Sequence, residues 1–419
     1  MKDINNLIKD QSIVYVTNDP ERSLGLEKII DDFYTVCVDD SYILNFLKNY
    51  YSLKKDIPQK DIYRNSNLLL KEISVQKYIS KIKNPNFMFF KIAPNIEYTL
   101  KGKNILNTKS NLNKKYENKI IISKIFKDLV PKTIDISLRE NSYEYIKNRV
   151  GSNFVIQFQR GQSGNSTFFI NNSREFNQIK TKYPFRIAKA VQRIDGEYYT
   201  LNGVITKDYT LLGNLTRQIT GIPILTNYKG GSVGNDWNTK LSSKNKETFF
   251  NTMNLISEYM RKDGYKGMFG ADFVFDGKKV YLIEINAREN ATIPIFSKIQ
   301  IEKNIMPFKL IHVLEFLKIK YNINPKKINE DFYEDVNLNQ IIIRNIKKDL
   351  IEAKMKFNGL YNEHIEKISE GYDIDSLDNN NYLILTNKNF ITPNMEISRV
   401  VSKKNIKVEM IEDLLKDIY

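Results

Sequence analysis

Gly264-Tyr-Lys-Gly-Met-Phe-Gly-Ala-Asp272-Phe-Val-Phe-Asp-Gly-Lys-Lys-Val-Tyr-Leu-Ile-Glu284-Ile-Asn286-Ala-Arg288 is the stretch from which the rest of this chain can be read. Two runs of aromatic and β-branched residues flank Asp276-Gly277, a turn signal, and predict a β-hairpin. Side chains alternate along a strand, so Glu284 and Asn286 share one face while Ile283 and Ile285 take the other. Asp272 falls on the partner strand. Two carboxylates and an amide oxygen converging at a strand end are hard oxygen donors, suited to Mg²⁺ shared with nucleotide phosphates. Arg288, two residues on, brings a rigid fork of donors for a phosphate or carboxylate. An ordinary edge hairpin with a polar face explains a lone Glu-x-Asn; the full string favours the chemical reading.

The run resembles the metal-binding signature of the ATP-grasp superfamily, an acidic residue followed by Glu-x-Asn-x-Arg. Upstream, Gly161-Gln-Ser163-Gly164-Asn-Ser166-Thr167 lies between two strand-like runs. Its small residues let backbone N–H groups approach phosphates, and its hydroxyls add donors. Alone it reads as a hairpin loop; with the hairpin downstream it matches the family's glycine-rich loop over the β- and γ-phosphates. Asn118-Lys119 resembles the family's Lys at a helix start. Gln157 departs from the pattern, since many relatives carry a second Lys on this strand, and Lys119, Arg160 or Lys189 can compensate. Lys189-Ala-Val-Gln192 resembles the hinge strand beside the adenine, with the contacting residue left open. The resemblance thus implies ATP at Lys119, Gln157, Gly161, Ser163, Gly164, Ser166, Lys189 and Gln192. It implies Mg²⁺ at Asp272, Glu284 and Asn286, and a catalytic role for Arg288 beside an acyl phosphate.

The remaining chain is organised around this core. At 419 residues it exceeds one simple core, and 41% hydrophobic with 12% aromatic residues marks it as globular. The expected class is mixed α/β and α+β. An N-terminal α/β domain spans 1–115, a small lobe with the glycine-rich loop 116–190, a metal-binding lobe 191–320, and a C-terminal α+β segment 321–419. In the first, Ser12–Thr17 reads as a strand, and Asn18-Asp19-Pro20 as the start of a helix running to about Phe33. Asp195-Gly196 marks a turn between strand-like runs, and 245–262 has the spacing of an amphipathic helix. The Gly-rich stretch containing Gln218, Asn235, Asp236 and Trp237 reads as a substrate loop or a solvated connector.

Composition narrows the function further. One cysteine, Cys37, excludes an internal disulfide framework and fits a reducing cytoplasm; its strand-like surroundings suggest a buried residue. Two unclustered histidines, His312 in an apolar helix and His364 in a charged stretch, leave zinc sites and Ser/His/Asp catalysis without support. The apolar runs are too short for a membrane span, and the first residues lack a signal-peptide core. The net charge of +15 comes from scattered lysines with no nucleic-acid-binding motif. It would also suit an acidic carrier protein. The resemblance implies ATP-dependent activation of a carboxylate, expected to be that of an amino acid or peptide, and its transfer to an amine or carrier thiol. Alternatives are a biotin-carboxylase-like or purine-biosynthetic ATP-grasp enzyme, against which Gln157 weighs, and an ATP-binding regulatory protein. A homodimer could use either flanking domain.

Overall fold

The apolar run at 13–16 becomes the centre of a parallel sheet because both of its faces are covered. In the computed structural model, which describes residues 4–38, 41–53, 65–161, 164–386 and 390–419, β1 (Ser12–Val16) is followed by β2 (Phe33–Cys37), β3 (Tyr50–Ser52), β4 (Pro85–Phe89) and β5 (Asn104–Ile105). They form a five-stranded sheet, order β3-β2-β1-β4-β5, with every neighbouring pair parallel. Cys37 is buried, as its surroundings suggested. The expected helix to Phe33 does not form. Asp19 caps only a 3₁₀ turn, Pro20–Ser23. Gly25 then turns with φ +105°, so close to the Ile293–Glu302 helix that an added Cβ would lie 2.4 Å from that of Ser297. Packing against that helix replaces local helix formation.

The second unit is antiparallel. β6 (Thr133–Ser137), β7 (Phe154–Phe158), β8 (Thr167–Ile170) and β9 (Ile187–Gln192) run in the order β6-β9-β7-β8. Helices Tyr143–Val150 and Ser173–Lys182, started by the caps Ser142 and Asn172, cover one side. Ile146, Phe154, Ile156 and Phe176 form the core between them. Before this sheet, Asn118 caps the helix Lys119–Ile125 by accepting from the N–H groups of Ile120 and Ile121 at 3.0 and 3.2 Å.

The third body is one sheet of ten strands. Its parts are β10 (Glu197–Ile205), β11 (Thr210–Thr220), β12 (Ser232–Asp236), β13 (Gly267–Phe275), β14 (Val280–Asn286), β15 (Asn339–Arg344), and, after the two-residue β16 (Ile351–Glu352), β17 (Asn358–Tyr361), β18 (Lys367–Ser369) and β19 (Tyr382–Thr386). The two-residue β20 (Phe390–Ile391) pairs with β16, and β21 (Glu396–Ser402) completes the large sheet. The order is β14-β13-β10-β11-β12-β15-β21-β19-β17-β18. The C-terminal strands therefore extend the sheet that carries the expected hairpin. The helix Ser243–Lys262 lays Phe249, Met253, Ile256 and Met260 on Tyr199, Leu201 and Phe273. Burial of each such side chain stabilises by about 1.5–3 kcal/mol. Asp272, Glu284 and Asn286 project from the other face.

Three expectations change. The strands either side of Asp195-Gly196 join different sheets, so this segment links two bodies and is not a hairpin turn. Arg217 and Gln218 pair with Asp236 and Asn235 in β11 and β12, leaving only 221–231 as a loop. Trp237 is 1% exposed, packed with Leu24, Cys37, Ile295 and Leu338 where the N-terminal and C-terminal parts meet, and faces no open loop. His312 is buried as expected: Nδ1 accepts from the Met268 N–H at 3.0 Å and Nε2 meets the Leu106 carbonyl at 2.5 Å. This fixes the Nε2–H tautomer. The His364 side chain is exposed. No helix among the described residues is long and apolar enough to cross a membrane.

Candidate active site

Asp272 and Glu284 are direct partners across β13 and β14, and Asn286 pairs with Gly270 in the same register. Asn286 Nδ2 donates to Asp272 Oδ2 at 3.3 Å, and Thr200 Oγ1 on β10 donates to Asp272 Oδ1 at 2.7 Å. Gln218 Nε2 on β11 supports Thr200 Oγ1 at 2.5 Å. Four adjacent strands thus orient one carboxylate. Burial pushes the Asp272 carboxyl above its ordinary value against these bonds and the Lys119 charge. Such a carboxylate gains from a nearby cation.

Arg288 is held on three sides. Its Nη2 donates to Asn286 Oδ1 at 3.0 Å, its Nη1 to the Glu289 carbonyl at 2.8 Å, and its Nε lies 2.8 Å from Glu117 Oε1. Glu117 also pairs with Lys91 at 3.2 Å. Burial would raise the Glu117 carboxyl, but Arg288 and Lys91 more than offset it and hold it below the ordinary range. The Arg288 guanidinium stands 5.2 Å from the Phe90 ring centre. Glu117, Lys91 and Phe90 had no signal in the sequence. Glu117 sits beside the Asn-Lys pair, but its partner comes from the end of the N-terminal sheet.

Two lysines face the same space. Lys119 Nζ forms an ion pair with Glu284 Oε2. Lys189 on β9 is 1% exposed and is directly opposite Gln157 on β7. Its ammonium donates to Ser123 Oγ at 3.0 Å, and no carboxylate among the described residues lies within ion-pair distance. Burial first, and the Lys119 charge second, lower it to about 7. Gln157 Nε2 reaches Thr167 Oγ1 at 3.4 Å, tying this pair to the end of the glycine-rich loop. Gly164 in that loop has φ +80° and packs on the 230–231 turn, where an added Cβ would be 2.7 Å from the Gly231 nitrogen. Ser166 is buried, and Gly161 and Gln192 are exposed. Ser163 lies outside the described residues. Asn235 donates to Thr216 Oγ1 at 3.2 Å and Asp236 pairs with Arg217 at 3.1 Å, so both serve the sheet.

The donor set for a metal is two carboxylates and one amide oxygen. Among the described residues no three His, Cys, Asp or Glu side chains gather as a metal nest. That set fits a hard cation completing its shell with phosphate and water oxygens. Residues 116–292 match a family model described as the ATP-grasp domain. The chain carries an ATP-grasp domain. No curated protein sequence matches the chain. Solved structures resemble it over almost all its length. N5-carboxyaminoimidazole synthase from Aspergillus clavatus, with ADP and 5-aminoimidazole ribonucleotide, has TM-score 0.60 and 12% identity, covering 98% of this chain and 99% of its own. The biotin carboxylase domain dimer of 2-oxoglutarate carboxylase from Hydrogenobacter thermophilus, with MgADP, ADP and bicarbonate, has TM-score 0.61 and 12% identity over 94% and 86%. Biotin carboxylase from Campylobacter jejuni has TM-score 0.61 and 12% identity over 99% and 92%. At this identity the likeness establishes the fold, including the flanking parts.

Proposed function

We propose that the protein is an ADP-forming ATP-grasp ligase that phosphorylates a carboxylate and passes the acyl group to an amine or thiol. The observation that carries this reading is the meeting of two buried lysines with Asp272, Glu284, Asn286 and Arg288 between the small sheet and the large one. Lys119 and Lys189 offer charge to a polyphosphate, with Gln157, Gly161, Gly164 and Ser166 around it. Asp272, Glu284 and Asn286 would hold Mg²⁺, which when bound neutralises phosphate charge. Arg288, fixed by Glu117 and Asn286, is aimed to stabilise the acyl phosphate or the adduct formed when the nucleophile attacks. The enzyme's task is positioning and charge neutralisation, and no histidine is required.

The first acid we expect is an amino acid. A second reading, with bicarbonate as the acid, is supported by the full-length likeness to carboxyaminoimidazole synthases and biotin carboxylases. The carrier-protein acceptor, a homodimer and the four domain boundaries belong to the same proposal. Phosphate release from Mg·ATP, across a panel of amino acids and bicarbonate with amine and thiol acceptors, separates them. Release tied to one acid–acceptor pair, and lost in Arg288→Lys while nucleotide affinity stays within about threefold, is expected. Equal loss of affinity and turnover would assign Arg288 to the nucleotide. No stimulated release with nucleotide binding intact would remove the ligase reading.

A further inference from the structure

Lys119 and Glu284 have tasks that exclude their present bond. In the proposed reading Glu284 meets a cation and Lys119 meets phosphate, yet here each is the other's counterion, with side chains 8% and 25% exposed. Lys119 is carried by a helix whose start is fixed by Asn118 and whose Lys119 carbonyl accepts from Ser123 Oγ at 2.6 Å. The same Ser123 oxygen accepts from Lys189 at 3.0 Å. A second ammonium, Lys189, therefore lies nearby and repels Lys119. The Asp272 and Glu117 carboxylates also act on the Lys119 charge, but Asp272 is another of the proposed metal ligands and Glu117 is already held by Arg288 and Lys91.

Consider a free divalent cation arriving alone. It would take Glu284 and Asp272 from Lys119 and leave that ammonium buried near another lysine and the new cation. Breaking a buried pair by removing one partner is strongly unfavourable. A polyphosphate carrying its cation changes the balance. Phosphate oxygens replace Glu284 beside Lys119 as the cation replaces Lys119 beside Glu284. Both charges then stay compensated throughout. We propose that the Lys119–Glu284 pair makes the metal site conditional on the nucleotide, so that metal enters with polyphosphate and is refused alone. This rests on the nucleotide-and-metal reading above.

The test is Mn²⁺ binding to the full chain, followed by the electron paramagnetic resonance of free Mn²⁺, with and without ADP. Wild type should bind Mn²⁺ alone at least tenfold more weakly than Lys119→Met does. ADP should tighten Mn²⁺ binding at least tenfold in wild type and by less in the variant. Equal affinity of wild type and Lys119→Met for free Mn²⁺, with Mn·ADP binding intact, would overturn the proposal and leave the metal reading standing. Glu284→Gln that binds Mn·ADP as wild type does would overturn the metal reading itself, and this proposal with it. Lys119→Gln replaces the Met variant if that one does not fold. If neither folds, wild type decides with inorganic tripolyphosphate. Mn²⁺ affinity that rises with it supports the exchange, and Mn²⁺ that binds equally tightly without it refutes it.

Discussion

Lys189→Met should stabilise the free protein and cripple its nucleotide binding. The Lys189 ammonium is 1% exposed and bonded to Ser123 Oγ, and burial lowers it from 10.5 to about 7. Closing that gap corresponds to on the order of 4–5 kcal/mol of strain on the charged form. The sign follows from proton counting. Between pH 7 and 10.5 the unfolded chain holds a proton that the folded one has released, so stability rises with pH across that window. The cost is full below about 7 and gone above 10.5. Met fills similar volume without the charge, and Ser123 keeps its bond to the Lys119 carbonyl at 2.6 Å. Differential scanning fluorimetry at pH 7 should show a higher Tm for the variant, by several degrees. Titration with ADP should show an affinity loss of about tenfold to 150-fold, since a charge-assisted bond contributes about 1.5–3 kcal/mol. Because Gln157 is the direct cross-strand partner, Gln157→Lys with Lys189→Gln should recover much of that affinity. A variant less stable than wild type that binds ADP normally would show Lys189 to be structural and refute the reasoning.

Two further outcomes test the packing. His312 is held neutral by burial, which lowers it from 6.5 to about 4. Its folded form is the more acidic, so the stability it contributes is present above 6.5 and lost as pH falls toward 4, by roughly 3 kcal/mol. Urea unfolding between those pH values should be less steeply pH-dependent in His312→Gln than in wild type; equal slopes would assign the loss to other groups. Trp237, the sole tryptophan, should emit as a buried indole and resist iodide quenching, and Trp237→Ala should cost about 3–5 kcal/mol. Ready quenching in the folded protein would contradict its place in the core.

Local pattern made the hairpin legible, because alternation and a turn signal decide which side chains share a face. Asp272, Glu284 and Asn286 meet as that reading expects, and the Phe249–Met260 spacing gave the covering helix. Contacts between distant segments were not legible. The Lys91–Glu117–Arg288 chain joins three parts of the fold, and nothing in any one segment announces it. The helix expected after Pro20 failed because Gly25 packs on a helix nearly three hundred residues away. The substrate-loop reading of Trp237 failed for a similar reason. Gly and polar residues there suggested a loop, whereas β-pairing of 217–220 with 232–236 satisfies that backbone.

The single ten-stranded sheet has a consequence for how the chain can be made. The strand β12 ends at Asp236, but its outer neighbour β15 begins at Asn339, and β15 is flanked on its other side by β21 at 396–402. During translation the half of the sheet that bears Asp272 and Glu284 is synthesised first and waits with the edge of β12 uncovered. An unpaired edge invites pairing with another chain. The nascent protein thus carries an uncovered sheet edge until Asn339–Arg344 pairs with β12, and again until Glu396–Ser402 pairs with β15.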